Sequence, residues 1–317
     1  MYFLKPGLTG ISFMFFCCAI LTSARGYSQN FTSTKTGEGI EISENGKKVL
    51  FYQNKPKSLN GKYERAGYVH PLYDLNEKVL TDDFPEDHPY HHGIFWAWHQ
   101  IVLNDKNIAE GWTYENLFYE PKNVKVTKRE KNITLQSEMI WKSVLQKNIL
   151  TGIIKENTKI TVNKSTGQYR AIDFDVHLSA LVDSLKIGGS DDVKGYGGFC
   201  LRLKLPSDIS FVSNNTSITP METAVIAGPW MDITGTFDSA STSKSGIAAF
   251  CKQPAKNNQQ PWILRKVTSM QNIPYPGRTP VLLPRKGWRL QYRLIIHSAD
   301  MSNDELEKLF QEYIMTP

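Results

Sequence analysis

Short segments rich in β-branched and aromatic residues, separated by turn residues, recur along this chain and constrain its fold more than any other feature. Residues 148–162 and 169–181 are two long segments of this kind, joined by a turn at residues 163–167. Asn45-Gly46 carries the Asn-Gly signal of a tight hairpin. Because such segments predict strands and no helical pattern separates them, we expect an all-β fold, a large antiparallel β-sandwich.

Only the C-terminal end has the pattern of a helix. Ser302 and Glu305 have the spacing of a capping box. The apolar residues that follow fall on one helical face: Leu306, Leu309, Phe310 and Ile314. We therefore expect one short C-terminal helix packed on the sandwich. Residues 29–317 contain no linker, repeat or charge block, so they are predicted to form a single domain.

Residues 1–28 have the composition of an export signal. Lys5 supplies a positive start, residues 8–21 are mostly apolar, and small residues follow. The small-residue rule leaves three cleavage sites open, after Ala24, Gly26 or Ser28. Because the apolar run falls short of the roughly 20 residues of a membrane span, we expect export to the periplasm or the medium. A lipid anchor on Cys17 or Cys18 is the lesser alternative.

Charge and cysteine content narrow the classes of partner. Removing residues 1–26 takes away two cations, Lys5 and Arg25, and no acid, so the formal net charge falls from +6 to +4. The remaining basic residues are scattered, which argues against a nucleic-acid partner. Cys200 and Cys251 are too few for a disulfide scaffold, and whether they pair stays open.

Four of the seven histidines lie within twelve positions, directly after the acidic loop at residues 82–87. They are His88, His91, His92 and His99. Histidine titrates near neutral pH and is a common metal ligand. Carboxylates and aromatic rings beside such residues are typical of a polar site against an apolar wall. The segment therefore predicts a place where a ligand is bound or transformed.

Residues 93–103 are apolar on both faces and predict one buried strand. If that strand already includes the histidines, alternation places His91 and His92 on opposite faces, with His92 on the face of Trp96. A bulge at Gly93 would relax this constraint.

Three interpretations of the histidine segment stay open. The histidines are structural, hydrogen-bonded to the acidic loop and to backbone. Alternatively, they carry acid–base catalysis, with His91 or His92 as the proton-transfer group and Asp87 or Glu86 as its partner. In the third, a zinc-like ion is bound by His88, His91 or His92 with the same carboxylates, although the spacing matches no specific metal motif.

Aromatic residues recur beside charged ones and favour a carbohydrate ligand. The chain has seven tryptophans and fourteen tyrosines. Such rings stack on the apolar faces of sugars, while arginine and carboxylate groups bind hydroxyls. The predicted substrate contacts are His88, Trp98, Arg202, Trp230, Trp262 and Arg265. The structural alternative is a surface ion pair for Arg202 and a core position for each tryptophan.

Residues 68–74 and 83–98, with the run His-Pro-Tyr-His-His-Gly-Ile-Phe-Trp-Ala-Trp, resemble a family of secreted bacterial proteins labelled PmoA-like, or "methane oxygenase PmoA". Its later landmarks resemble residues 195–198, 228–232 and 261–265. That family commonly has arginine immediately before the glycine of this block, where this chain has His92. The resemblance implies a β-sandwich similar to the galactose-mutarotase superfold and an association with carbohydrate use. A membrane-spanning monooxygenase does not fit, because no later segment is apolar enough to span a bilayer.

Aldose epimerases of that superfold transfer protons with a histidine and a carboxylate. Carried over to this chain, the pairing nominates His91 or His92, and no carboxylate aligns. We therefore expect an exported carbohydrate-active protein that performs acid–base chemistry on a sugar, as an epimerase, lyase or hydrolase. The alternatives are a non-catalytic carbohydrate-binding protein and a metal-dependent oxidoreductase, as the label suggests. The expected partner is a small-molecule or oligosaccharide substrate; no metal ligand is assigned, and the cofactor and the sugar stay open.

Overall fold

The computed structural model describes residues 1–4, 30–240, 242–252, 259–298 and 301–316. The predicted export signal, apart from residues 1–4, lies outside the described residues. Within the described part, no helix is both long enough and apolar enough to cross a membrane.

Nearly all regular structure in the described residues is β-strand. The strands are β1 (Phe31–Lys35), β2 (Gly39–Glu44), β3 (Lys47–Gln53), β4 (Lys57–Leu59), β5 (Lys62–Arg65), β6 (Tyr68–Leu72), β7 (Ile94–Trp98), β8 (Gln100–Leu103), β9 (Lys106–Ala109), β10 (Phe118–Lys128), β11 (Asn132–Val144), β12 (Leu150–Asn163), β13 (Tyr169–Ala180), β14 (Leu185–Gly188), β15 (Gly197–Leu201), β16 (Ser210–Ser213), β17 (Thr216–Ser217), β18 (Val225–Ala227), β19 (Trp230–Gly235), β20 (Ser245–Cys251), β21 (Gln260–Trp262), β22 (Gln271–Pro274), β23 (Val281–Leu282) and β24 (Trp288–Ser298). A 3₁₀ turn at Gln146–Asn148 and one helix, α1 (Asn303–Met315), are the helical elements of the same residues.

The strands form antiparallel sheets, two of them large. The seven-stranded sheet has the order β1-β2-β3-β6-β7-β15-β22, and the nine-stranded sheet has the order β10-β11-β12-β13-β24-β20-β19-β16-β17. A four-stranded sheet, β23-β14-β8-β9, and the pairs β18-β21 and β4-β5 complete the set found in the described residues. The predicted all-β antiparallel fold with a C-terminal helix is confirmed.

The two large sheets share one apolar core. Strands such as β11 and β13 bury every second residue, as expected for a sheet with one solvated face. Phe174 of β13 and Phe199 of β15 meet edge to face with ring centroids 5.4 Å apart, and so join the two sheets. By contrast, β7 and β15 are buried on both faces. A second apolar layer must therefore cover the outer side of the seven-stranded sheet.

That second layer, here called the outer cluster, positions the candidate site. It consists of Tyr68, Phe95, Ala97, Trp112, Cys200 and Met270. Cys200 is a fully buried thiol rather than a disulfide, and burial raises its pKa. On the opposite side of the molecule, α1 packs on the outer face of the nine-stranded sheet through Leu306, Phe310 and Tyr313. Its predicted capping box is present, with Ser302 and Glu305 hydrogen-bonded reciprocally.

The single strand predicted over residues 93–103 is wrong. The segment divides at His99 into β7 and β8, which belong to different sheets. The polar residues His99 and Gln100 mark the division, but apolar residues resume directly after them, so the sequence does not reveal that the pairing partners change there.

Candidate functional site

A polar cleft of about 330 Å³ lies over the outer cluster. Its floor and one wall come from the histidine segment and from Trp112, and its other walls come from the loops before β15 and β22. The lining residues are His88, Tyr90, His91, His99, Trp112, Thr113, Ser190, Asp192, Lys194, Tyr196, Arg265, Thr268 and Ser269. Three of the four clustered histidines therefore converge on one cavity.

His99 and Glu110 form an imidazole–carboxylate pair at one side of the cleft. His99 Nδ1 lies 2.9 Å from Glu110 Oε1, and both side chains are partly exposed. Glu110 also accepts hydrogen bonds from the backbone N–H groups of Trp112 and Thr113. Although burial acts to raise it, the pKa of Glu110 is held below its ordinary value by the hydrogen bonds from His99 and Thr113. The carboxylate fixes Nδ1 of His99 and leaves Nε2 as the nitrogen that can exchange a proton with a ligand.

His91 is the neutral histidine of the cleft. Only 1% of its surface is exposed, and burial, followed by the neighbouring charges of His88 and Arg202, lowers its pKa well below the ordinary value. Its ring stacks on His88 at 4.8 Å and meets the edge of Trp112 at 5.9 Å. Nδ1 is buried without a hydrogen-bond partner in the described structure. The Nε2 edge of the ring is therefore the side that a ligand can reach.

Trp112 joins the two histidines. His99 stacks on it with ring centroids 4.6 Å apart and planes 17° apart, while His91 meets it edge-on. Tyr196 packs against the same indole at 5.6 Å, and the guanidinium of Arg265 lies 5.5 Å from the centre of the Tyr196 ring. The aromatic wall therefore holds the titratable groups in place.

His92 does not face the cleft. Its Nδ1 lies 2.7 Å from Asp83 Oδ1, and its ring packs on Tyr68 and Phe84 beneath the acidic loop. The predicted grouping of His92 with Trp96 is wrong, because regular pairing in β7 begins only at Ile94. Burial lowers the pKa of His92 to about 4 against the opposing effect of Asp83. His92 is thus a neutral structural residue at ordinary pH.

Asp87, predicted as the carboxylate partner, is held by several hydrogen bonds within the protein. It accepts two hydrogen bonds from Arg202, at 3.0 and 2.6 Å, and one each from Thr268 Oγ1 and the Ser269 N–H, both at 2.7 Å. Its Oδ2 also lies 2.9 Å from His88 Nδ1. Partial burial acts to raise its pKa, yet these bonds, Arg202 first, hold it far below the ordinary range. A carboxylate held in this way keeps its charge and positions the loop.

Several other predicted site residues lie elsewhere. Glu86 is exposed and does not line the cleft. Arg202 is buried in its pair with Asp87 and does not line the cleft. Three predicted stacking platforms are core residues exposed by at most 1%, with indole N–H groups already bonded within the protein: Trp98, Trp230 and Trp262. Of the predicted contacts, His88 and Arg265 do line the cleft.

The geometry disfavours a metal ion shared by the clustered histidines. His88 and His91 are parallel within 4°, with ring centroids 4.8 Å apart, so their in-plane lone pairs cannot converge on one ion at about 2 Å. Within the described residues, no group of three His, Cys, Asp or Glu side chains is placed to hold a metal.

Sequence reasoning missed Glu110, Trp112, Tyr196 and Asp192. Glu110 directly follows β9 and begins a Glu-Gly-Trp turn. That turn, close in sequence to the histidine segment, was the pattern from which Glu110 and Trp112 could have been predicted.

A second concavity lies on the outer face of the nine-stranded sheet. This groove, of about 480 Å³, crosses β10, β11, β12, β13 and β24. Its lining is polar throughout and includes Asn123, Gln136, Glu138, Asn157, Asp175, His177 and Arg289. Arg289 and Asp175 are joined by paired hydrogen bonds of 2.9 and 2.7 Å.

Comparison with known proteins places the chain in a family. No curated protein matches it. Among solved structures, the crystal structure of the GalM/aldose epimerase homologue from C. elegans is 9% identical, covering 85% of this chain and 99% of that one, with a TM-score of 0.28. At that TM-score the likeness carries no weight. The model of DUF6807, described as a family of unknown function, matches residues 39–311, most of the chain. The chain therefore belongs to DUF6807.

Proposed function

We propose that this protein performs acid–base chemistry on a carbohydrate in the cleft over the outer cluster. The observation that carries the proposal is the His99–Glu110 pair, which opens onto a cavity that also contains the neutral His91. A histidine oriented by a carboxylate is a common arrangement for proton transfer near neutral pH. The wall hydroxyls of Thr113, Ser190 and Thr268 each donate to a carboxylate of the protein, so their oxygens are left to accept hydrogen bonds from a ligand rich in hydroxyl groups.

In this proposal His99 is the proton-transfer group and Glu110 positions it. His91 contacts the substrate, and His88 and Arg265 complete the binding walls. Export of the mature chain, and the relationship to PmoA-labelled secreted proteins with a mutarotase-like sandwich, belong to the same proposal. They rest on the sequence patterns described above.

The test is a proton NMR time course of the mature protein with mono- and disaccharides, including oxidised sugars. We expect the wild type to convert at least one of them. His99→Gln and Glu110→Gln should lower the rate by roughly 10²-fold or more while leaving the sugar bound. Glu41→Gln, at a surface ion pair with Lys48 far from the cleft in sequence, is the matched Glu-to-Gln control and should keep full activity.

Conversion that survives both cleft substitutions would contradict the proposal. So would the absence of any conversion or binding across the panel.

The second candidate is a non-catalytic carbohydrate-binding protein that uses the groove on the nine-stranded sheet. Its support is a row of directly paired positions, Glu138, Asn157, His177 and Arg289, across four adjacent strands. Saturable line broadening without conversion, lost in Asn157→Ala and retained in His99→Gln, would favour this candidate over the cleft.

A further inference from the structure

We propose that the substrate of the cleft is a sugar bearing a carbonyl group, and that the reaction begins with removal of a proton from the adjacent carbon. The inference rests on the proposed function, because it specifies the substrate and the first step at the same site. It is carried by the two imidazoles that flank Trp112 and by the scarcity of carboxylates in the cleft.

The first support is the kind of proton-transfer group that the cleft offers. Glycoside hydrolysis ordinarily uses two carboxyl groups on either side of the scissile bond. Of the described residues that line the cleft, Asp192 is the one carboxylate. Its Oδ1 already accepts hydrogen bonds from Ser190 Oγ and from the N–H groups of Lys194 and Gly195. The lining therefore lacks the carboxyl pair that hydrolysis needs.

The second support is the different environment of the two imidazoles. His99 Nδ1 is held by Glu110 at 2.9 Å, which leaves Nε2 as the ring nitrogen that can act as the base. His91 has no carboxylate partner, is almost fully buried and stacks on His88. It therefore stays a neutral ring with one N–H to donate. A base beside a neutral hydrogen-bond donor is the combination that abstraction of a proton next to a carbonyl requires.

The step balances without any other reactant. His99 Nε2 takes the proton from the carbon next to the carbonyl, and the C–H electron pair becomes a carbon–carbon double bond. The carbonyl π electrons move to oxygen, where His91 Nε2–H donates a hydrogen bond to the developing negative charge. For epimerisation, His99 releases its proton to solvent, solvent delivers a proton to the opposite side of the carbon, and the carbonyl re-forms. For elimination, the carbonyl re-forms from the oxyanion, the carbon–carbon double bond shifts by one carbon, and the leaving group on the next carbon departs with the proton from His99.

The test is solvent exchange in D₂O. A panel of ketohexoses and open-chain-accessible aldoses is incubated with the mature protein, beside the corresponding alditols and methyl glycosides, which lack a free carbonyl. We expect enzyme-dependent loss of the proton signal next to the carbonyl and a mass gain of one deuterium, with no exchange in the alditols or methyl glycosides. Glu110→Gln and His91→Ala should each lower the exchange rate by roughly 10²-fold. Glu41→Gln should exchange at the wild-type rate.

The outcomes separate this inference from the proposed function. Conversion of methyl glycosides, with no exchange in any carbonyl sugar, would overturn the carbonyl substrate and leave acid–base chemistry on a sugar standing. Exchange that persists in His91→Ala with unchanged rate and unchanged KM would also overturn it, because the neutral donor would then have no role. No binding, conversion or exchange with any sugar would overturn both.

Discussion

At the scale of the residue, two adjacent histidines lie in different environments. His91 lines the cleft, whereas His92 lies beneath the acidic loop with its Nδ1 held by Asp83. Both are neutral at ordinary pH, since burial outweighs the neighbouring carboxylates. In the proposed function the proton-transfer group is therefore His99, which is paired with Glu110 and partly exposed.

The buried His92 predicts loss of stability in acid. An unfolded histidine gains a proton below a pKa of 6.5, whereas the folded His92 stays neutral down to about 4. Because the unfolded chain binds more protons in that window, the free energy of unfolding falls as pH falls from 6.5 to 4, by up to about 3 kcal/mol. Chemical denaturation at several pH values measures this.

The substitution His92→Gln should flatten that part of the profile, whereas His177→Gln, at a partly exposed histidine, should leave it steep. Equal acid sensitivity in both variants would show that other groups account for the transition.

Single residues in the sequence pointed to several side chains that line the cleft, but not to the pairs that those side chains form. Three residues that the sequence analysis named, His88, His91 and Arg265, line the same cleft. The sequence offered Asp87, the acid next to His88, as the carboxylate partner, and Asp87 Oδ2 does lie 2.9 Å from His88 Nδ1. It did not predict the His99–Glu110 pair, which forms because β8 and β9 fold back as a hairpin. Proximity of that kind depends on strand pairing, which residue composition does not report.

At the scale of the element, α1 is the segment that the sequence predicted best. Its capping box and the burial of Leu306 and Phe310 agree with the 3.6-residue period. Tyr313 takes the place expected for Ile314, which is 39% exposed, because i, i+4 and i+7 lie on the buried stripe. By contrast, the division between β7 and β8 was not predictable, since it depends on partners distant in sequence.

The contact between α1 and the nine-stranded sheet predicts that three substitutions in the helix lower the free energy of unfolding by different amounts. Phe310 packs edge-on against Phe250 at 5.5 Å, so Phe310→Ala should lower the free energy of unfolding by about 3 kcal/mol. Ser302→Ala removes the cap and should cost about 1 kcal/mol. Ile314→Ala, the matched exposed control, should change stability by less than about 0.5 kcal/mol. Urea denaturation ranks the three, and a different order would mean that the helix is held by other contacts.

At the scale of the whole molecule, the ionisable side chains of Glu156 and Arg65 are buried in the core between the two large sheets. Glu156 of β12 accepts hydrogen bonds from the indole N–H groups of Trp96 and Trp141, at 2.9 and 2.8 Å. Arg65 of β5, also fully buried, donates to Tyr119 Oη and to the Trp96 carbonyl, both at 2.8 Å. Trp96 therefore bonds to both groups and links the sheets through polar as well as apolar contacts.

This arrangement predicts different costs for two substitutions of Glu156. Glu156→Leu leaves two indole N–H groups unpaired and a buried guanidinium without its nearby negative charge, so it should cost about 3–5 kcal/mol. Glu156→Gln keeps an acceptor for the indoles and should cost less. Denaturant unfolding of both variants measures the difference. Equal losses would mean that volume rather than hydrogen bonding decides the stability of the core.

The hydrogen bonds of Asp87 affect when the cleft forms during folding. They join a loop near residue 87 to Arg202, 115 positions later, and to Ser269, 182 positions later. Closing such long loops is slow and entropically costly. The wall that carries His99 is built from neighbours in sequence, whereas the other walls come from residues 190–196 and 265–269. We therefore expect a chain truncated before residue 265 to lack part of the cleft wall, so that ligand affinity would report the completion of folding.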